Sequence, residues 1–178
     1  SFEACGACHK RNPDNTLNLA AKDLLESRQQ YTELKPGSKG RAKMTCISCH
    51  NPHAASSSED GIVRKCAECH SKAKITIQAM ASAGVRCIDC HMPLAARGAF
   101  DDMVQGYHRG DMRSHLFGIT ADPAYVLDGG GLKAALNANG MARLTVEMTC
   151  GSCHLSGKAG KKTRETLLDA AKRVHSGS

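Results

Sequence analysis

Residues 46 to 91 contain three copies of one short pattern: Cys46-Ile-Ser-Cys49-His50, Cys66-Ala-Glu-Cys69-His70 and Cys87-Ile-Asp-Cys90-His91. The same pattern occurs on both sides of this stretch, as Cys5-Gly-Ala-Cys8-His9 and as Cys150-Gly-Ser-Cys153-His154. All ten cysteines of the chain lie in these five motifs. The sequence is therefore organised around five repeats of one chemical unit.

Two thiols three positions apart, followed directly by an imidazole, match the attachment site of a c-type haem. The thiols add to the two vinyl groups of one porphyrin, and the adjacent histidine binds the iron. A histidine would follow by chance in roughly one case in 20, since 9 of the 178 residues are His. Zinc is the alternative, but it would need thiols to pair in fours, whereas each pair here brings its own histidine. The motifs predict five covalent haems c.

Composition bears on the fold. Aromatic residues make up 3% of the chain and Trp is absent, so side chains alone would form a thin core. We expect five haems to fill the interior and nearly every segment to contact a porphyrin. This predicts a single domain, residues 1–178, that is mostly α with extensive loops, has little or no sheet and is built around a haem core.

The spacing of apolar residues predicts where the regular elements lie. Helices are expected at about residues 16–34, 67–83, 132–139 and 163–175. A basic, Gly-rich linker is expected over residues 35–43, a loop over 94–102 and a brief extended segment over 144–148.

Four histidines lie outside the motifs and are candidates for the second axial position on an iron: His53, His108, His115 and His175. His53 follows Pro52 in a turn that directs its ring away from the haem of the preceding motif, so we expect it to bind a neighbouring haem. His175 shares a helix face with Leu168 and Ala171, which directs it inward.

His108 and His115 lie among arginines that suit haem propionates, and either could bind iron. A pH-sensing or general-base role is an alternative for these two, and an ordinary surface position is an alternative for His53, His108 and His115. Four histidines cannot complete five irons. At least one iron must take Met, Lys, the amino terminus, water or nothing, and an open site would admit a small ligand.

The formal net charge is +7, which in other proteins favours nucleic acid or an acidic membrane surface. Ten propionates and five ferric irons would bring this to about +2, and reduction to about −3. The lack of aromatic stacking residues also speaks against nucleic acid. No stretch is long and apolar enough for a membrane span. Covalent haem attachment implies export, so we expect a secretory segment that this sequence does not include.

The chain resembles the small multihaem c-type cytochromes. Stretches that carry the resemblance are residues 46–53, 87–93, 110–117 and 149–154, with the closing helical His175. The resemblance fits three branches of this class and leaves the choice among them open. They are the soluble pentahaem partners of nitrite reductase, the tetrahaem quinol dehydrogenases, and the extracellular cytochromes that polymerise into filaments. The resemblance implies haems stacked in one continuous chain, mostly with two histidine ligands, and His53, His115 and His175 as ligands. This chain departs from the common pattern of these cytochromes in one respect: no histidine occurs on the helix expected after the first motif.

The expected function is electron transfer through five haems, without catalysis, in a periplasmic or extracellular setting and with redox proteins as partners. One alternative is a subunit of a conductive filament, a homopolymer held by end-to-end haem contacts. A second alternative is reduction of a small molecule at the iron that lacks a distal histidine.

Overall fold

The computed structural model describes residues 2–34, 44–104, 107–154 and 160–176. Its helices are short: α1 (Phe2–His9), α2 (Gln30–Leu34), α3 (Gln78–Ser82), α4 (Cys87–His91), α5 (Val146–His154) and α6 (Arg164–Arg173). Its strands are β1 (Leu19–Ala21), β2 (Leu24–Glu26), β3 (Ala96–Val104) and β4 (Tyr107–Met112). Three 3₁₀ turns, Cys46–Ser48, Glu59–Gly61 and Cys66–Glu68, lie between α2 and α3.

The four strands form one mixed sheet in the order β1-β2-β3-β4. The outer pairs are antiparallel, and β2 runs parallel to β3, with Leu25 opposite Ala96. The prediction of a mostly α fold with little or no sheet was therefore wrong, since six short helices accompany a four-stranded sheet in the described residues. In β4 the buried residues are Tyr107 and Gly110, three apart, so the sequence lacks the two-residue alternation that marks a half-buried strand.

Most of the helix predicted over residues 16–34 is absent, because its first part forms the β1–β2 hairpin. Asp23, in the turn between the two strands, has a φ of 61°, a left-handed conformation that Asp tolerates better than most residues. The leucines that suggested a helical stripe, Leu17, Leu24 and Leu34, are nevertheless all buried. Only α2 remains helical.

The other predicted elements had mixed outcomes. The helix over residues 163–175 is confirmed by α6, whose N-cap Thr163 accepts a hydrogen bond from the Thr166 amide. Of residues 67–83, only a short 3₁₀ turn and α3 are helical, and residues 132–139 form no helix. β3 occupies most of the loop that was expected over residues 94–102. α5 begins at Val146, inside the extended segment that was expected over residues 144–148. The linker over residues 35–43 lies outside the described residues.

The described core consists of side chains, which corrects the expectation of a core made of haem. Ten buried residues form one cluster beside the sheet: Leu17, Leu19, Leu25, Ala95, Ala96, Leu116, Leu127, Ala142, Leu144 and Met148. Loops that carry no motif supply several of them, and their burial out of water stabilises the fold. The thiols of the five motifs are exposed or only partly buried, so the motifs lie around this core.

Within the described residues, no helix combines the length and the apolar character needed to cross a bilayer.

Candidate haem centres

Each motif adopts a helical turn. Motifs one and five close α1 and α5, motif four is α4, and motifs two and three begin with 3₁₀ turns. In the latter two, the histidine amide donates to the carbonyl of the first cysteine, His50 to Cys46 and His70 to Cys66, both at 2.9 Å. Residues i, i+3 and i+4 of a helical turn share a face. The two thiols and the imidazole of a motif are thus presented on one side.

The three central motifs share a cap that was not predicted. In each of them, the side chain of the residue before the second cysteine accepts a hydrogen bond from a backbone amide. This amide belongs to the residue before the first cysteine. Ser48 Oγ accepts from the Thr45 amide at 3.0 Å, Glu68 Oε1 from Lys65 at 2.7 Å, and Asp89 Oδ2 from Arg86 at 3.0 Å. These contacts lock the turn, and the spacing of a capping box was a sequence signal that could have identified them.

In motifs one and five the residue after the first cysteine is glycine, and an aromatic ring packs on it. A Cβ at Gly6 would lie 2.6 Å from the ring of Tyr31, and one at Gly151 would lie 3.0 Å from the ring of Tyr107. Tyr107 also donates a hydrogen bond to the Met148 carbonyl at 2.8 Å. Two of the three tyrosines of the chain therefore hold the end motifs in place.

Thiols of successive motifs are neighbours. Burial raises the pKa of the Cys46 thiol to about 11, and a hydrogen bond with Cys5 adds to the effect. Burial also raises the pKa of Cys49, Cys66 and Cys90, and in each case a thiol of the next motif adds to the rise: Cys66 for Cys49, Cys87 for Cys66, and Cys150 for Cys90. The five motifs thus adjoin one another in chain order.

Two motif histidines face a second histidine from far along the chain. The ring centres of His50 and His115 lie 6.0 Å apart with 29° between the planes, and those of His91 and His175 lie 5.8 Å apart with 15°. A metal–imidazole bond is about 2.0 to 2.1 Å long, so imidazoles on opposite sides of one metal have ring centres about 6 Å apart. Both pairs fit this separation.

An offset aromatic stack can have a similar spacing, but hydrogen bonds orient the second pair for metal binding. His91 Nδ1 donates to the Phe117 carbonyl at 2.8 Å, and His175 Nδ1 donates to the Lys74 carbonyl at 2.7 Å. Metal-binding histidines usually have their other ring nitrogen fixed in this way. Each ring thus keeps Nε2 as an electron-pair donor, which is the atom a metal would take.

The first pair differs. His115 Nδ1 is buried and has no hydrogen-bond partner in the described part of the chain. Burial, followed by the nearby His50, lowers the pKa of His115 to about 4. The ring is therefore neutral at pH 7, which is the form that binds iron. Nδ1 of His115 thus lacks the hydrogen bond that fixes the rings of His91 and His175, although its neutral ring is in the form that can bind a metal.

The remaining candidates are not brought against a second imidazole by any described ring contact. His53 is exposed, and its amide donates to Asn51 Oδ1 at 3.0 Å. His108 Nδ1 lies 3.2 Å from Asp101 Oδ2, and its strand β4 packs against α5, which carries motif five. A carboxylate on one ring nitrogen leaves the other for a metal. Iron binding by His53 and His108 stays a prediction.

The surroundings of the motifs suit porphyrins. Motif two has three exposed apolar side chains in or beside it: Ile47 lies within the motif, and Ile62 and Val63 pair with its backbone. A macrocycle bound there would cover them. An open cleft of about 900 Å³ adjoins motif one, and Lys10, Arg11 and Arg28 contribute three cations to its lining, which would suit propionates.

Arg113, expected to bind a propionate, donates to backbone carbonyls of the chain. Its guanidinium donates to the carbonyls of Ile88 and Met92 at 3.0 and 2.7 Å. It therefore satisfies the Met92 carbonyl just after α4 and adds a second donor at the Ile88 carbonyl, which already accepts from the Met92 amide.

Sequence reasoning also missed Glu33. Its buried carboxylate accepts hydrogen bonds from Ser114 Oγ and from the His115 amide. Burial raises the pKa of Glu33 to about 7, and these two hydrogen bonds oppose the rise. Nothing in the sequence around Glu33 marks this role, because the partners lie 81 and 82 residues away.

The described residues contain no group of three or more Cys, His, Asp or Glu side chains placed so that they could hold a metal ion. A structural zinc site uses four protein ligands, whereas a haem iron takes at most two from the protein because the porphyrin supplies the rest.

Comparisons with known proteins give no match: no protein-family profile, no curated protein and no solved structure is significantly similar to this chain.

Proposed function

We propose that this protein transfers single electrons along a chain of five covalently bound haems c. The observation that carries the proposal is the pairing of imidazoles. His50 and His91, each the last residue of a motif, face His115 and His175 at the separation expected for two ligands of one iron. Nothing in the covalent motif requires a distant histidine to lie there.

The order of the motifs supports a conducting path. Thiols of motifs one and two, two and three, three and four, and four and five are close enough to affect each other's pKa. Porphyrins attached to these thiols would lie near one another in the same order. Rates of electron tunnelling fall steeply with distance, so adjacency is what such a path requires.

The roles of the residues follow from the chemistry of the donors. The cysteines would anchor each porphyrin, the motif histidines would bind one face of the iron, and His115 and His175 would bind the other face of irons two and four. Each bound haem supplies one reversible electron at its iron. With two imidazoles bound, irons two and four would have no position for a substrate. We propose electron transfer without catalysis as the function of these two centres.

Redox proteins are the proposed partners, and the proposed setting is the periplasm or the cell exterior, where haem c attachment takes place. Residues 62–74, which include all of motif three, are exposed throughout. A haem at this motif would have an edge at the surface, within reach of a transient partner. The homopolymer stays a prediction from the sequence.

The test is a coulometric titration of the purified holoprotein with optical detection. We expect reversible uptake of five electrons per chain, one for each motif, with the same spectra in both directions. Uptake of fewer than five electrons, or spectra without the bands of haem c, would contradict the proposal. A chain with both cysteines of one motif replaced by alanine is the control and should take up one electron fewer.

A further inference from the structure

Glu33 lies at the end of α2, in a buried position where a carboxylate is costly without partners. The carboxylate has two, both from the segment that carries His115. Ser114 Oγ donates to Glu33 Oε2 at 2.9 Å, and the His115 amide donates to the same oxygen. Oε2 of Glu33 thus binds both the side chain of Ser114 and the backbone amide of His115.

Ser114 extends this contact by one residue. Its hydroxyl is fully buried and accepts a hydrogen bond from the Leu116 amide at 3.1 Å. The Glu33 carboxylate therefore fixes three consecutive residues around the ring that faces His50. Hydrogen bonds to a carboxylate are stronger and more directional than those between neutral groups.

The ring of His115 lacks the hydrogen bond that orients the rings of His91 and His175. His91 and His175 each have Nδ1 fixed by a backbone carbonyl. The buried Nδ1 of His115 has no such partner among the described residues, so no hydrogen bond to that nitrogen sets the orientation of the ring. Its position depends on a ring contact with Phe117 and on the backbone. The Glu33 carboxylate holds this backbone from one side, and the Pro93 carbonyl accepts the Ser114 amide.

We propose that Glu33 is the positioning residue for the distal ligand of the second haem: it holds the Ser114–Leu116 segment so that His115 stays on the iron opposite His50. This inference rests on the proposed function and adds a residue that does not touch the iron. Without the carboxylate, His115 leaves the iron more readily and an external ligand competes with it.

The test compares Glu33→Gln, which keeps an acceptor oxygen of the same reach, with Glu33→Leu, which keeps the volume and removes the acceptor. Carbon monoxide binding to the reduced holoprotein is measured for each, beside His115→Ala and the exposed control Glu165→Gln. We expect Glu33→Leu to bind carbon monoxide at one additional iron, with an affinity there at least about tenfold higher than in the parent, equal to about 1.4 kcal/mol. Glu33→Gln should stay close to the parent, and His115→Ala should show the full effect.

The haem content of every variant is measured first. Five haems with unchanged carbon monoxide binding in Glu33→Leu would overturn the positioning role and leave the proposed function intact, whereas a parent chain without covalent haem would overturn both. If Glu33→Leu does not fold, Ser114→Ala removes one of the two donors. It should then show a smaller rise in carbon monoxide affinity at the same iron, and parent-like binding would overturn the proposal.

Discussion

Replacement of His175 by alanine is expected to leave one haem iron with a single protein ligand. His175 lies 5.8 Å from His91 with nearly parallel planes, and its Nδ1 is held by the Lys74 carbonyl. Loss of the imidazole should convert that iron from low spin to high spin. Electron paramagnetic resonance of the oxidised protein should therefore gain a high-spin signal, and the reduced protein should bind one more carbon monoxide per chain.

Added imidazole supplies the control for His175→Ala, because a free ligand should refill the vacated position and restore the low-spin signal. Lys172→Ala, at an exposed position on α6, should resemble the parent. An unchanged spin state in His175→Ala would show that the contact between His91 and His175 is an ordinary aromatic contact.

The second large effect is expected from Cys66→Ala/Cys69→Ala. These cysteines belong to the motif whose thiols adjoin both motif two and motif four. Loss of the third haem should leave four and open a gap in the middle of the path. After photochemical injection of an electron, redistribution among the haems should slow by orders of magnitude.

Cys5→Ala/Cys8→Ala is the matched control for this gap. It also removes one haem, but from the end of the array, so motifs two to five stay adjacent. Redistribution among the remaining four haems should keep the rate of the parent. Equal rates in the two double variants would contradict a path that follows the order of the motifs.

The prediction that the motifs attach haem depends on adjacent residues alone, and it stays a prediction. The spacing Cys-x-x-Cys-His needs only one helical turn to present all three side chains, and each motif forms that turn. The caps by Ser48, Glu68 and Asp89 were equally local and were overlooked.

The sheet and the ligand pairing could not be predicted in the same way. Leu17 and Leu24 fitted a helical stripe, but the turn at Asp23 and the pairing of Leu25 with Ala96 depend on residues distant in sequence. Local propensity yields to such tertiary contacts. His115 and His175 were expected as ligands, but which motif each would face is decided by the folded chain alone.

Whether all five motifs carry covalent haem is measured by the intact mass of the purified chain together with thiol alkylation after denaturation. We expect the mass of the polypeptide plus five haems and no alkylated cysteine among the ten. Alkylation of any of these cysteines in the fully loaded protein, or bound zinc in place of haem, would contradict this expectation.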